Sequence, residues 1–177
     1  FLDAYEREAR THEPVSFKAY FEPLNRHYSI SAFVLEQGFF ATVFEDMTER
    51  ERAGQLLQAT VERFYAILSN LYAGVLLVTN ESQVEFANQA FCDLIDLEDS
   101  PAELTGLTAA EMIEKIRDVY LRPDEAVARI QEIVGRGEPV KGEEVAMRGG
   151  RTFLRDFIPI SLDGKLYGRL WHHLDIS

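Results

Sequence analysis

Apolar and polar residues alternate from Val15 to Phe21. Val15, Phe17, Ala19 and Phe21 fall on one phase, and Ser16, Lys18 and Tyr20 on the other. A period of two predicts a strand with one covered face. Leu24-Asn25-Arg26 can turn. His27 to Val34 then predicts a second strand, with Tyr28, Ile30 and Ala32 on one face. Gln37-Gly38 offers another turn before a third strand, Phe39 to Glu45. Ahead of these strands, Leu2, Tyr5 and Ala9 share a helical face that Pro14 closes. At Thr48 the period changes. Ala53, Leu57, Val61, Phe64 and Leu68 recur at helical spacing, widened by Leu56, Tyr65 and Ile67. Thr48-Glu49-Arg50-Glu51 has the form of a capping box. A helix from Thr48 to Leu68 would be roughly 30 Å long at about 1.5 Å per residue. That length suits a connector between modules, one that either lies along its own domain or also pairs with a copy of itself.

Beyond the helix, Gly74 to Thr79 is an apolar strand, and Gln83 to Ala87 is its hairpin partner. Asn88 is placed to cap a short helix, Gln89 to Ile95, which Asp99-Ser100-Pro101 breaks. Thr108-Ala109-Ala110-Glu111 is a second capping box, ahead of Met112, Ile113, Ile116, Val119 and Tyr120 at helical spacing. Pro123 suits the first turn of a further helix, which Gly135 and Gly137 end. Glu143 to Met147 predicts a strand and Gly149-Gly150 a tight hairpin. Arg151 to Ile160, the turn Asp163-Gly164 and Leu166 to Leu174 complete the chain. Strands, then short helices, then strands, without βαβ alternation, give an α+β domain with one antiparallel sheet.

Two tracts recur in the same order and in the same structural places. Glu13-Pro14-Val15 returns as Glu138-Pro139-Val140, and Phe44-Glu45-Asp46-Met47-Thr48 returns in outline as His173-Leu174-Asp175-Ile176-Ser177. Residues 1–47 therefore read as the C-terminal half of a unit whose whole form is residues 70–177, with 48–69 as the connector.

Composition narrows the function. A formal charge of −12 argues against nucleic acid or an anionic membrane as partner, because phosphate contacts want Lys or Arg. A single cysteine, Cys92, allows no internal disulfide and suits a reducing, cytoplasmic setting. No apolar run approaches the ~20 residues of a membrane span. No Met precedes Phe1, so the chain is expected to be a piece of a longer protein.

The run Val84-Glu85-Phe86-Ala87-Asn88-Gln89-Ala90-Phe91-Cys92, followed by Arg155 to Ile160 and Gly168-Arg169-Leu170-Trp171 in that order, resembles a PAS domain, the sensory module of bacterial and archaeal signalling proteins. The first run is similar to the family's strand-to-helix corner. The likeness rests also on Gly150-Arg151 ahead of Arg155, and on Leu174 to Ser177 after Trp171. Asp46-Met47-Thr48-Glu49-Arg50 is similar to the family's junction with its output helix. Tyr20 to Leu24 and Tyr28 to Ala32 resemble the later strands of a first such domain. The resemblance implies a five-stranded antiparallel sheet with short helices on one face, preceded by the connector helix and a partial PAS unit. It implies a homodimer through helix 48–68, an output domain in cis such as a histidine kinase of a two-component system or a diguanylate cyclase, and no membrane contact by this fragment.

Candidate chemistry is sparse. His172 and His173 are neighbours on a strand and point to opposite faces, so they cannot share one metal. Cys92 sits among Phe91, Leu94 and Ile95 as a core thiol. Glu111, Glu114, Lys115 and the pair Glu143-Glu144 read as solvated surface. Phosphate loops, metal-spaced Cys/His sets and nucleophile elbows are absent from the sequence. Haem-binding relatives use a histidine on the helix before the last three strands, and Pro123 to Arg136 has none. The covalent-flavin branch needs a cysteine run that is missing here. The cofactor is thus left open, with haem and covalent flavin disfavoured. A ligand is expected between the inner sheet face and the helices, near Phe86, Ile113, Ile116, Phe157, Trp171 and His173. Asp46 with Thr48, and Asp175 with Ser177, are the expected signal junctions. The function this implies is a non-catalytic sensory and relay module. A ligand-free dimerisation module and an enzyme using the pocket are the alternatives.

Overall fold

The computed structural model describes residues 15–34 and 39–177. The expected early helix at Leu2 to Ala9 and the turn at Gln37-Gly38 lie outside the described residues. The chain divides into two compact units, with the boundary between Arg63 and Phe64.

The first unit is a meander of β1 (Val15–Phe21), β2 (Arg26–Val34) and β3 (Phe40–Asp46), antiparallel in the order β1-β2-β3. The β1 register pairs Phe17 with Ile30 and Ala19 with Tyr28, so the apolar phases of neighbouring strands share a face. Asn25 makes the turn in the left-handed region, at φ 50°, which its short polar side chain tolerates. Ile30 and Ala32 are buried, whereas Phe21, Val43 and Phe44 are exposed. Helix α1 (Thr48–Ser69) follows.

The expected capping box at Thr48 does not form. Its hydroxyl donates instead to Asp46 Oδ1 (2.5 Å), and its amide reaches the same oxygen (3.0 Å). Glu51 meanwhile pairs with Lys18 Nζ (2.7 Å). An acceptor two residues upstream competes with the reciprocal pattern, and the carbonyl of Met47, not Thr48, accepts the Glu51 amide. The apolar stripe of α1 stays open: Leu56, Leu57, Phe64 and Ile67 are each more than half exposed.

The second unit holds β4 (Gly74–Thr79), β5 (Val84–Ala87), α2 (Gln89–Leu94), α3 (Pro101–Leu104), α4 (Ala109–Ile116), α5 (Pro123–Arg136), β6 (Val140–Ala146), β7 (Thr152–Leu162) and β8 (Lys165–Asp175). Its sheet is antiparallel throughout, in the order β5-β4-β8-β7-β6. One core joins the helices to the sheet. Phe91, Leu104, Met112, Ile116 and Ile133 pack with Leu76, Val78, Phe153, Phe157 and Trp171. Burying each such side chain contributes about 1.5–3 kcal/mol. The capping box of Thr108 with Glu111 forms as the spacing predicts. A further one, Ser100 with Glu103, starts α3 where the sequence reads only as a break.

Asn88 does more than cap α2. Buried at 1% exposure, it accepts from the amides of Val75 (2.8 Å) and Phe91 (3.0 Å) and donates to the carbonyls of Leu68 (3.0 Å) and Ala73 (2.9 Å). Gly149 and Gly150, expected to form a tight hairpin, lie instead in a short 3-10 turn, Arg148–Gly150. The Met147 amide donates to the Arg151 carbonyl (2.9 Å) and closes a wider loop than a two-residue turn allows. Strand β6 begins earlier than its alternation predicts, because a bulge at Gly142 (φ 68°) lets the pattern slip between Val140 and Glu143.

Candidate functional site

Between the inner face of the second sheet and helices α4 and α5 lies a cavity of about 330 Å³. Its position follows from strand parity. On β8, Trp171 and His173 turn inward while His172 sits on the other face, against Asp156 (3.2 Å). On β7 the inward phase is Phe153, Arg155 and Phe157, all 2% exposed or less. Arg155 and His173 are cross-strand partners, so their side chains emerge side by side. Gly74 faces His173 across the sheet, and a Cβ there would come within 2.9 Å of the Phe91 backbone. That missing methyl lets α2 close over the sheet, and the Phe91 ring meets His173 edge-on at 5.6 Å.

Four of the residues expected in the pocket line it: Ile113, Ile116, Trp171 and His173. Phe86 does not. It pairs with Leu77, on the opposite phase from cavity-lining Leu76, and packs against the Tyr65 ring at 5.3 Å. Phe157 is core rather than lining, beneath Trp171 at 4.7 Å.

The residue that sequence reasoning missed is Arg155. It is a guanidinium 2% exposed in the wall of an apolar cavity. Its Nε and Nη2 donate to Glu143 Oε2 at 3.0 and 2.6 Å, and its Cζ lies 5.5 Å above the Trp171 ring. Glu143, expected on the surface, is partly buried as its counter-ion. Arg129 Nε reaches its other oxygen at 2.7 Å. Burial pushes the Glu143 carboxyl up, but the bonds from Arg129 and Arg155 outweigh it and hold it below the ordinary range. The signal was present in the pattern: Arg155 occupies the apolar phase of Phe153-x-Arg155-x-Phe157, where a charge must find a partner. Cys92 is fully buried, and that burial raises its thiol.

Two polar atoms of this wall have no hydrogen-bond partner among the described residues, Arg155 Nη1 and His173 Nδ1. Burial, with Arg155 beside it, pushes the His173 imidazole down to about 3, so it is neutral at physiological pH.

The same strand, β8, ends in the sequence-predicted junction. Ser177 Oγ donates to Asp175 Oδ1 (2.5 Å) and Ser177 N reaches the same oxygen (2.9 Å). The Thr152 amide donates to Ser177 Oγ (2.9 Å), and the Ile176 amide to the Thr152 carbonyl (2.9 Å). These bonds hold Asp175 below its ordinary range, Ser177 being the main cause. In the first unit, His27 N donates to Thr48 Oγ1 (3.0 Å) and Met47 N to the His27 carbonyl (2.8 Å). The bond from the Thr48 hydroxyl, then that from its amide, lowers Asp46 to about 2.

Among the described residues no group of three metal-binding side chains converges, and no helix is long and apolar enough to cross a membrane.

With this geometry in hand, the class is an α+β fold of the PAS type. Residues 62–134 match the family model described as PAS domain. No curated protein matches the chain. The chain is similar to the PAS domain of an HTR-like protein from Haloarcula marismortui, at 19% identity over 71% of this chain and 99% of that one, with a TM-score of 0.47. It is similar to the PAS domain of BvgS from Bordetella pertussis, at 18% identity over 67% and 88%, with a TM-score of 0.49. A sensor region of a sensor histidine kinase shares 22% identity over 58% of this chain and 39% of its own, with a TM-score of 0.46.

Proposed function

We propose that the chain is a non-catalytic tandem sensory segment that binds a small molecule in the second unit and relays occupancy to an output domain of the same polypeptide, in the cytoplasm. The observation that carries this reading is the continuity of β8. Arg169, Trp171 and His173 wall the cavity, and two residues beyond His173 the same strand reaches the Asp175–Ser177 junction. A ligand that shifts the strand shifts the acceptor that fixes the backbone leaving the sheet. The tandem reading rests on the two junctions having matching hydrogen bonds and on β1-β2-β3 running in the same antiparallel order as β6-β7-β8. Native mass spectrometry of the purified protein tests the ligand. The expected result is a bound mass that Ile113→Trp, which fills part of the cavity, abolishes. A folded protein that never binds any small molecule at this cavity contradicts it.

A second reading, homodimerisation through α1, is favoured by the exposure of Leu56 (70%), Leu57 (66%) and Ile67 (58%) on one helix. Pairing with a copy would cover this stripe. The expected outcome is a dimer in sedimentation velocity that Leu57→Glu converts to monomer. A wild-type monomer at tens of micromolar would remove this reading.

A further inference from the structure

The chain carries 30 acidic residues against 18 Lys and Arg. Its cavity inverts that balance. The lining includes Arg155 and Arg169 and not one Asp or Glu. The rest is apolar apart from Ser82, Tyr120, Gln131 and the neutral His173. Arg155 spends two of its nitrogens on Glu143 and leaves Nη1 buried without a well-formed hydrogen bond among the described residues, with the Tyr120 hydroxyl as its near neighbour. Arg169 is half-buried and among the described residues has one polar partner, the Ser82 hydroxyl at 3.2 Å. A buried donor without an acceptor is costly, more so when charged, and native proteins rarely leave one. An acceptor supplied from outside the chain removes that cost.

We propose that the cavity takes an apolar molecule ending in a single carboxylate, with the carboxylate on Arg155 Nη1 and Arg169 and the apolar body against Ile113, Ile116, Ile130 and Trp171. This rests on the reading of the cavity as a ligand site. The charge count favours a monoanion. Arg155 and Arg129 already share Glu143, and Arg129 also reaches Glu132 (2.8 Å), so those four charges cancel and Arg169 adds one. A phosphate, at about −1.5 to −2, would exceed it. A carboxylate matches a guanidinium geometrically, and such charge-assisted bonds are roughly twice as strong as neutral ones. The cavity volume lies at the small end of the ~300–1,000 Å³ of ligand sites, which suits a short chain or a single ring.

Trp171, the one tryptophan of the chain, lies in the wall and reports binding by its fluorescence. The whole chain is titrated with straight-chain carboxylates of six to twelve carbons, each beside its primary alcohol and its alkyl phosphate. The expected result is a carboxylate bound tenfold or more tighter than the alcohol and the phosphate of equal length, because bonds to a charged group are the stronger ones. Arg169→Gln, which removes no buried ion pair, is expected to lose most of that preference while still binding the alcohol. Arg155→Gln is expected to do the same if it folds, and the Arg169 variant decides the matter if it does not. Equal binding of alcohol and carboxylate, tighter binding of the phosphate, or an undiminished preference in Arg169→Gln overturns the anion assignment and leaves the ligand pocket standing. Binding of no member of any series overturns both.

Discussion

The two sheets of this protein end in the same arrangement and differ in one arginine. At the end of β3, Thr48 locks onto Asp46 and is held in turn by His27. At the end of β8, Ser177 locks onto Asp175 and is held by Thr152. An arginine precedes the holding residue each time. Arg26 turns back onto the second oxygen of Asp46. Arg151 instead donates to the Leu94 carbonyl (2.9 Å) and to Asp96 (2.6 Å), at the end of α2. In the second unit the equivalent arginine thus ties the sheet beside the junction to a helix of the sensory core. The first unit gives its arginine, among the described residues, no helix of that kind. The comparison teaches that the latch itself is local chemistry, carried by an acid and a hydroxyl two residues apart. The tie from the latch strand to a helix is what the second unit adds.

The contrast can be broken first at the pair of buried Arg155 with partly buried Glu143. Glu143→Ala strands the Arg155 guanidinium in the core and is expected to cost about 3–5 kcal/mol. Urea unfolding followed by Trp171 fluorescence reads the second unit directly. A loss below about 1 kcal/mol would mean that Arg155 finds water.

Asn88→Ala comes next. It removes the acceptor of two buried amides, and an expected loss of about 2–3 kcal/mol follows from leaving them unpaired. The same unfolding curve measures it, and a neutral effect would show that the strand-to-helix corner is held by packing alone.

The pH dependence is smaller and has a definite sign. His173 is held down to about 3 by burial, then by Arg155 and His172, with Asp156 opposing. An unfolded histidine takes its proton near 6.5. Below that pH the unfolded chain binds a proton that the folded chain refuses, so stability is full above about 6.5 and is lost as pH falls toward 3. Between pH 6.5 and 5, above the titration of most carboxylates, His173→Phe is expected to flatten the curve of stability against pH. Parallel curves for the two proteins would place the titration elsewhere.

The least effect on stability is expected at the latches. Asp46→Ala should speed amide exchange at Thr48, and Asp175→Ala at Ser177, each leaving the other latch untouched. Crossed effects would mean that the two are not separate devices.

Much of the fold was legible because long alternations leave one reading. β1 spans Val15–Phe21, as its unbroken period predicts. The corner at Asn88 follows from an amide side chain placed between a strand and a helix. The same Thr-x-x-Glu spelling formed a capping box at Thr108 and failed at Thr48. The difference is Asp46, whose carboxylate lies nearer to Thr48 than Glu51 does, and Lys18, distant in sequence, which claims Glu51. The site was half legible. Trp171 and His173 follow from parity, while Phe86 was lost to it. Arg155 was hidden because its partner Glu143 sits across a bulged strand pair whose register the sequence does not display.

The most direct test of the account is amide hydrogen exchange across β8 and the residues after it, with and without octanoate. Filling the cavity is expected to slow exchange at the β8 positions that wall it and also at Ile176 and Ser177. Protection confined to the cavity wall, with Ile176 and Ser177 exchanging as before, would contradict the claim that the strand carries occupancy to the latch.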